Sequence, residues 1–235
     1  MRRILLNARI FLLAAVAGLL CSTSLSGAQI AQFFQQTGGQ NFAFVNNANG
    51  TGAFTADADV WFLFQNVTTT PSVTGIQNAT LLITATTTGP ATQNGNDITQ
   101  GGLNGTLTIT RNSDLVVLLT ATFTGARLQG QYNAESAAVL ASFSAGDSVI
   151  FSSSVVSLDQ IALNPAFSLS LSSLIPRLEI GAFGLARSFT AAGSGTFSAA
   201  PVQNDDTTVP EPATIWIGAS CVALGVICRR RQPRR

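Results

Sequence analysis

Two stretches of the chain alternate strictly between apolar and hydroxyl-bearing side chains. Gly105-Thr106-Leu107-Thr108-Ile109-Thr110 and Ala166-Phe167-Ser168-Leu169-Ser170-Leu171-Ser172 set a small or apolar residue at every second position. Successive side chains of a strand point to opposite faces, so a period of two predicts strands with one buried and one wet face. Val60-Trp61-Phe62-Leu63-Phe64 and Leu115-Val116-Val117-Leu118-Leu119 are unbroken apolar runs, which predict central strands covered on both faces. Further strands are expected at 42–46, 79–87, 120–124, 137–143, 148–156, 178–183 and 195–199. Turn chemistry separates them at Asn94-Gly95-Asn96-Asp97, Gly101-Gly102, Asn112-Ser113-Asp114, Ala145-Gly146-Asp147 and Asn164-Pro165. Many short strands without a sustained helical period predict an all-β fold, a single antiparallel β-sandwich or jelly-roll-like domain over residues 29–200.

The two ends follow a different pattern. Arg2, Arg3 and Arg9 accompany an uncharged run at residues 10–21, and Ser26-Gly27-Ala28 supplies small side chains three and one places before Gln29. That order predicts a signal-peptide helix over residues 1–28, cut between Ala28 and Gln29. The run is shorter than the ~20 residues that span a bilayer. At the other end Val209-Pro210-Glu211-Pro212 precedes residues 213–228, which carry no charge, and then Arg229, Arg230, Arg231, Arg234 and Arg235. A C-terminal transmembrane helix is expected there, with its arginine end held in the cytoplasm. Its reach of about 24 Å is short against a hydrocarbon core near 30 Å. Residues 201–208, with Asn204-Asp205-Asp206, read as a polar linker that leaves Pro210 open to a protease.

This three-part tail over residues 209–235 resembles the PEP-CTERM sorting signal of Gram-negative bacteria. The resemblance implies recognition by an exosortase, a membrane cysteine protease-transpeptidase that passes the body to the cell surface or extracellular matrix. It implies Pro210, Glu211 and Pro212 as the sorting motif, residues 213–228 as the transmembrane helix, and Arg229, Arg230 and Arg231 as the cytoplasmic stop. These are substrate residues, not catalysts. The bodies of that family vary widely, so the resemblance concerns sorting alone.

Charge and reactive residues narrow the function of the body. The formal net charge of +1 hides a partition, because eight of the twelve arginines lie at the two ends. Arg111, Arg127, Arg177 and Arg187 face eleven acidic residues, so residues 29–212 carry a net −7. So acidic a body repels phosphate backbones, and no nucleic-acid partner is expected. There is no histidine, which excludes a Ser-His-Asp triad and any His-held metal or haem. Cys21, Cys221 and Cys228 lie in the terminal apolar runs, leaving the body without a disulfide or a thiol catalyst.

Carboxylates are the remaining catalytic option, since glycoside hydrolysis needs only two. Asp57 and Asp59 share a strand face, although a solvated pair is the plainer reading. Nothing in the sequence brings Glu135 and Glu179 together. Two oxygen-rich sets, Asn94-Gly95-Asn96-Asp97 and Asn46, Asn47, Asn49 with Asp57, are candidates for calcium. Both lack the ligand spacing of an EF-hand, and turn chemistry accounts for them. Trp61, between Val60 and Phe62, is expected in the core with most of the fifteen phenylalanines, and Tyr132 is the aromatic residue expected at the surface. Asn49, Asn66, Asn78 and Asn104 begin Asn-x-Thr triplets, incidental beside a bacterial tail.

The combined expectation is an exported, exosortase-processed protein of the cell surface or extracellular matrix, such as a biofilm, with a non-catalytic body and no cofactor. Its partners would be the secretion translocon, signal peptidase, an exosortase-like protease, the membrane before processing, and extracellular polysaccharide. The alternative is a lectin-like carbohydrate- or calcium-binding module of the same fold. It would pass through an inner-membrane intermediate on its way outward.

Overall fold

The computed structural model describes residues 27–47, 49–70, 73–143 and 146–200. Alternation of inward apolar and outward polar side chains sets the architecture, and it is clearest along β3 (Gly52–Phe64). There Phe54, Ala56, Ala58, Val60 and Phe62 are buried while Thr55, Asp57 and Asp59 are exposed. The other strands are β1 (Ala28–Gln35), β2 (Phe42–Asn46), β4 (Gln77–Thr87), β5 (Ala91–Asn94), β6 (Asp97–Arg111), β7 (Val117–Gln131), β8 (Ser136–Ser142), β9 (Ser148–Ser152), β10 (Leu163–Ile175) and β11 (Phe189–Ala200).

Eight of these close into an antiparallel barrel in the order β6-β4-β3-β1-β11-β10-β8-β7, with β7 returning to β6. β2 continues the line of β1 in the slot between β3 and β11. β9 continues the line of β8 along β7, and β5 continues the line of β4 along β6. The described chain begins and ends at one rim, because Ala28 is in register with Ala199.

The expected β-sandwich is therefore corrected to a closed barrel. A strand with one dry and one wet face serves either architecture. What decides between them is whether the ring of pairings is complete, and here β6 pairs with β7 along eleven register positions while β1 pairs with the distant β11. The strands are also longer than expected. Gly101-Gly102 and Asn164-Pro165, read as turns, are irregularities inside β6 and β10 where the register shifts. Such bulges bend and twist a strand, which helps a sheet curl onto itself. Residues 178–183 are not a strand but part of a strap across one rim, tied by a bridge between Ile180 and Ala186.

No flanking helix is found among the described residues. Among the described residues the only helical elements are two 3-10 turns, Leu158–Gln160 and Ala182–Gly184. None of the described helices is long and apolar enough to cross a membrane. The signal-peptide helix expected over 1–28 and the transmembrane helix expected over 213–228 fall on residues 1–26 and 201–235, outside the described residues, and Ala28 itself opens β1.

Phenylalanine fills the barrel. A chain of ring contacts runs Phe54, Phe42, Phe33, Phe197, with centroid separations of 6.5, 6.5 and 6.1 Å, and then branches to Phe151 at 5.9 Å and Phe167 at 6.3 Å. Phe123 meets Phe167 edge-on at 5.1 Å. Tilted and edge-on rings place positive edges against negative faces, adding to the gain from burial. β11 makes room for them with glycine. A Cβ on Gly195 would lie 2.4 Å from the Phe33 ring, and one on Gly193 2.7 Å from Phe42.

Each rim is closed by a strap held through a glutamine. Gln100, fully buried inside β6, donates from Nε2 to the Gly89 carbonyl at 2.7 Å and accepts the Ala186 N–H at Oε1 at 2.9 Å. It thereby pins the 178–188 strap, whose Leu178, Leu185 and Ala186 cap the core. At the other rim Gln160 accepts the Thr68 N–H at 2.6 Å and donates back to the Thr68 carbonyl, while Val155, Val156 and Ile161 close that end. Apolar side chains face in and hydroxyls face out, the inverse of a membrane-spanning barrel, whose outer band is apolar.

Candidate functional site

The outer wall carries Asp57, Asp59 and Trp61 of the residues that the sequence singles out. Along β3, Asp57 lies opposite Leu82 of β4, and Asp59 lies opposite Thr80. The Thr80 hydroxyl is 3.3 Å from Asp59 Oδ1 and 2.9 Å from Asn112 Oδ1. Both aspartates are exposed on one strand of an outward-facing wall. A glycosidase sets its two carboxylates on either side of the scissile bond, an arrangement that neighbours on one strand face do not make.

The body's four arginines each hold a carboxylate. Arg111 grips Asp114 with two hydrogen bonds, Nε to Oδ1 at 2.8 Å and Nη2 to Oδ2 at 2.6 Å, across the β6–β7 turn. These bonds to the guanidinium hold the Asp114 carboxyl below its usual range, against an opposing push from burial, and raise Arg111 further. Arg127 pairs with Asp147 at 3.1 Å, Arg177 with Glu135 at 2.5 Å, and Arg187 with Glu179 at 2.8 Å. Glu135 and Glu179 thus lie at the same rim, where the Asn133 N–H donates to the Leu178 carbonyl at 2.7 Å, yet each is matched to its own cation. Surface pairs of this kind add little stability.

The two oxygen-rich sets are turns. Asn94 and Asp97 are the closing pair of the β5–β6 hairpin, with Gly95 at φ 61°, in the left-handed region that a two-residue hairpin loop demands. Asn46 donates to the carbonyls of Ala182 at 2.8 Å and Ala186 at 3.2 Å, anchoring the strap. Asn49 accepts both the N–H and the hydroxyl of Thr51. Asn47 donates to that hydroxyl at 3.2 Å, and Asp57 stands apart on the outer wall. Among the described residues no three His, Cys, Asp or Glu side chains gather as a metal site.

Two shallow cavities share Pro176 at the strap rim. One, of 470 Å³, is lined by Asn46, Arg187, Ser188 and Phe183, and the other, of 340 Å³, by Glu135, Arg177 and Ile175. Phe183 sits at φ 57° and is exposed, an uncommon backbone state for a bulky residue.

Trp61 is the main correction on the outer wall. Expected in the core, it is 47% exposed, and directly across from it on β1 stands Phe34, 50% exposed. Asn78 of β4 flanks Trp61 on the other side. The Gln36 amide spans this row, donating to the Val60 carbonyl at 2.9 Å and lying 3.4 Å from Asn78 Oδ1. The signal for this patch was parity. Inward residues at 54, 56, 58, 60 and 62 force Trp61 outward with Asp57 and Asp59, whatever its own hydrophobicity. Tyr132 is exposed as expected, at the end of β7. Leu115 and Val117, read as doubly covered, are exposed as well, Leu115 in the β6–β7 turn.

The expected cleavage point, Ala28 and Gln29, lies where β1 meets Ala199 and Ser198 of β11. Pro210, Glu211, Pro212, Arg229, Arg230 and Arg231 lie outside the described residues. A scan of protein-family models and searches of curated proteins and solved structures found no match to this chain.

Proposed function

We propose that this protein is exported, sorted by its C-terminal tail and released by an exosortase-like protease as a component of the cell surface or extracellular matrix. The observation that carries the reading is the tail itself: Pro210-Glu211-Pro212, an uncharged stretch, and five arginines in the last seven positions. The body supports a binding or structural role over catalysis. Its arginines are engaged in ion pairs, and Asp57 and Asp59 stand on an open wall. The described body begins and ends at one rim, Ala28 being in register with Ala199. Partners in this reading are the translocon, signal peptidase and the exosortase-like protease.

The test is fractionation of a native host expressing wild-type protein or Pro210→Ala/Glu211→Ala. Wild type is expected at the surface or in the medium without Arg229, Arg230 and Arg231. The variant is expected to stay in the inner-membrane fraction with them. Wild type and variant that both keep the full tail in the same fraction would overturn the reading.

A further inference from the structure

We infer that the outer wall around Phe34 and Trp61 is a binding site for an uncharged polysaccharide. The inference deepens the surface or matrix reading by naming what the body holds, and it rests on that reading for the polymer's presence.

Two aromatic side chains in direct register across antiparallel strands have Cβ atoms about 4.5–5.5 Å apart. Phe34 and Trp61 stand so on the outer face, each about half exposed. Neither ring stacks on another ring among the described residues, whereas the inward phenylalanines form a connected chain. Their open faces are apolar, and their surroundings are not. On the same face lie Asp59 two residues before Trp61, Gln32 two before Phe34, Asn78 beside Trp61, and Ser194 beside Phe34. The Gln36 amide crosses the row. Apolar plates ringed by amide, hydroxyl and carboxylate groups match a sugar, whose C–H face packs on the ring while its hydroxyls meet the rim.

Charge selects among occupants. An acidic polymer would meet Asp57 and Asp59, the nearest charges on β3, and a body of net −7. A second copy docked face to face by a two-fold axis running along β3 through Trp61 would bring its own Asp57 and Asp59 against this pair. The body's arginines are bound to Asp114, Asp147, Glu135 and Glu179, so they do not offset that repulsion. A neutral chain carries neither penalty, and its repeating units supply many weak contacts in series.

The experiment uses the exported protein recovered from its host, with Trp61→Ala, Phe34→Ala, Trp61→Phe and Leu82→Ala variants. Retention is measured on cellulose, amylose and chitin, and on alginate as the acidic contrast. Wild type should be retained on at least one neutral polymer and pass through alginate. Trp61→Ala and Phe34→Ala should each weaken retention about tenfold or more, the scale of a central aromatic contact. Trp61→Phe should keep most of it, and Leu82→Ala, exposed on the same wall, all of it. Thermal unfolding checks that each variant is folded. Once residues 213–235 are removed, Trp61 is the remaining tryptophan of the two in the chain, and its emission should shift on adding soluble oligomers of the retained polymer.

Retention on none of the neutral polymers overturns the site, as does equal retention by folded Trp61→Ala. Preferential binding to alginate overturns the charge argument. A dimer abolished by Trp61→Ala would assign the wall to a second copy instead. Surface delivery of these variants is scored separately, so loss of sorting and loss of polysaccharide binding are distinguishable.

Discussion

The inner and outer faces of the same strands obey different rules. Inside the barrel, Phe33, Phe42, Phe54 and Phe197 touch one another in a continuous chain, with glycines of β11 cleared for them. Outside, Thr55, Thr84, Thr106 and Thr122 form a direct cross-strand row over β3, β4, β6 and β7, and Phe34 and Trp61 form another over β1 and β3. The inner set is fixed by volume, since a filled core leaves no slack. The outer set is free of that constraint, so an aromatic pair there is not explained by packing. Packing fixes one face and leaves the other open.

The largest effect should come from the inner face. Phe197→Ala removes the ring that joins Phe33, Phe151 and Phe167, and should cost about 3–5 kcal/mol in urea unfolding. A loss near zero would mean that the ring chain does not hold the barrel together. Gln100→Ala should cost less, about 1–3 kcal/mol, because it strands the buried Ala186 N–H and frees the Gly89 carbonyl. Hydrogen exchange at Ala186 should accelerate before that of the barrel strands.

Asp114→Asn isolates the turn between the faces. A carboxyl lowered by Arg111 in the folded state contributes stability above its unfolded value, near 3.9, and loses it as pH falls through the folded value. The wild-type protein should therefore lose stability on acidification below about pH 4, and the Asn variant should show a flatter acid limb. Parallel acid limbs would remove the pair from the stability balance. Thr106→Val, in the middle of the outer hydroxyl row, should change stability least, within about 0.5 kcal/mol.

Much of this division was legible in the residues, and its limits have physical causes. The alternation at 105–110 and 166–172 marks wet and dry faces, and those segments lie in β6 and β10. Closure was not legible, because it depends on Ala31 and Phe33 meeting Phe197 and Gly195, residues more than 150 positions apart. Nothing local records such a pairing. The run 60–64 misled because every residue in it is apolar, which hides the parity visible one turn of the pattern earlier at Thr55, Asp57 and Asp59. The strand expected at 178–183 failed because the backbone turns at Ala182–Gly184, with Phe183 and Gly184 at positive φ. For the tail the order is reversed. Its motif is written in consecutive residues, so the sequence carries that reading without help from tertiary structure.

The central claim, an exported body freed from its sorting tail, is tested most directly by the intact mass of the protein recovered from the surface or medium of its native host. The expected species begins at Gln29 and ends near Pro210-Glu211-Pro212, without residues 213–235. A surface-located species that retains Met1, or one that retains Arg229, Arg230 and Arg231, would contradict it.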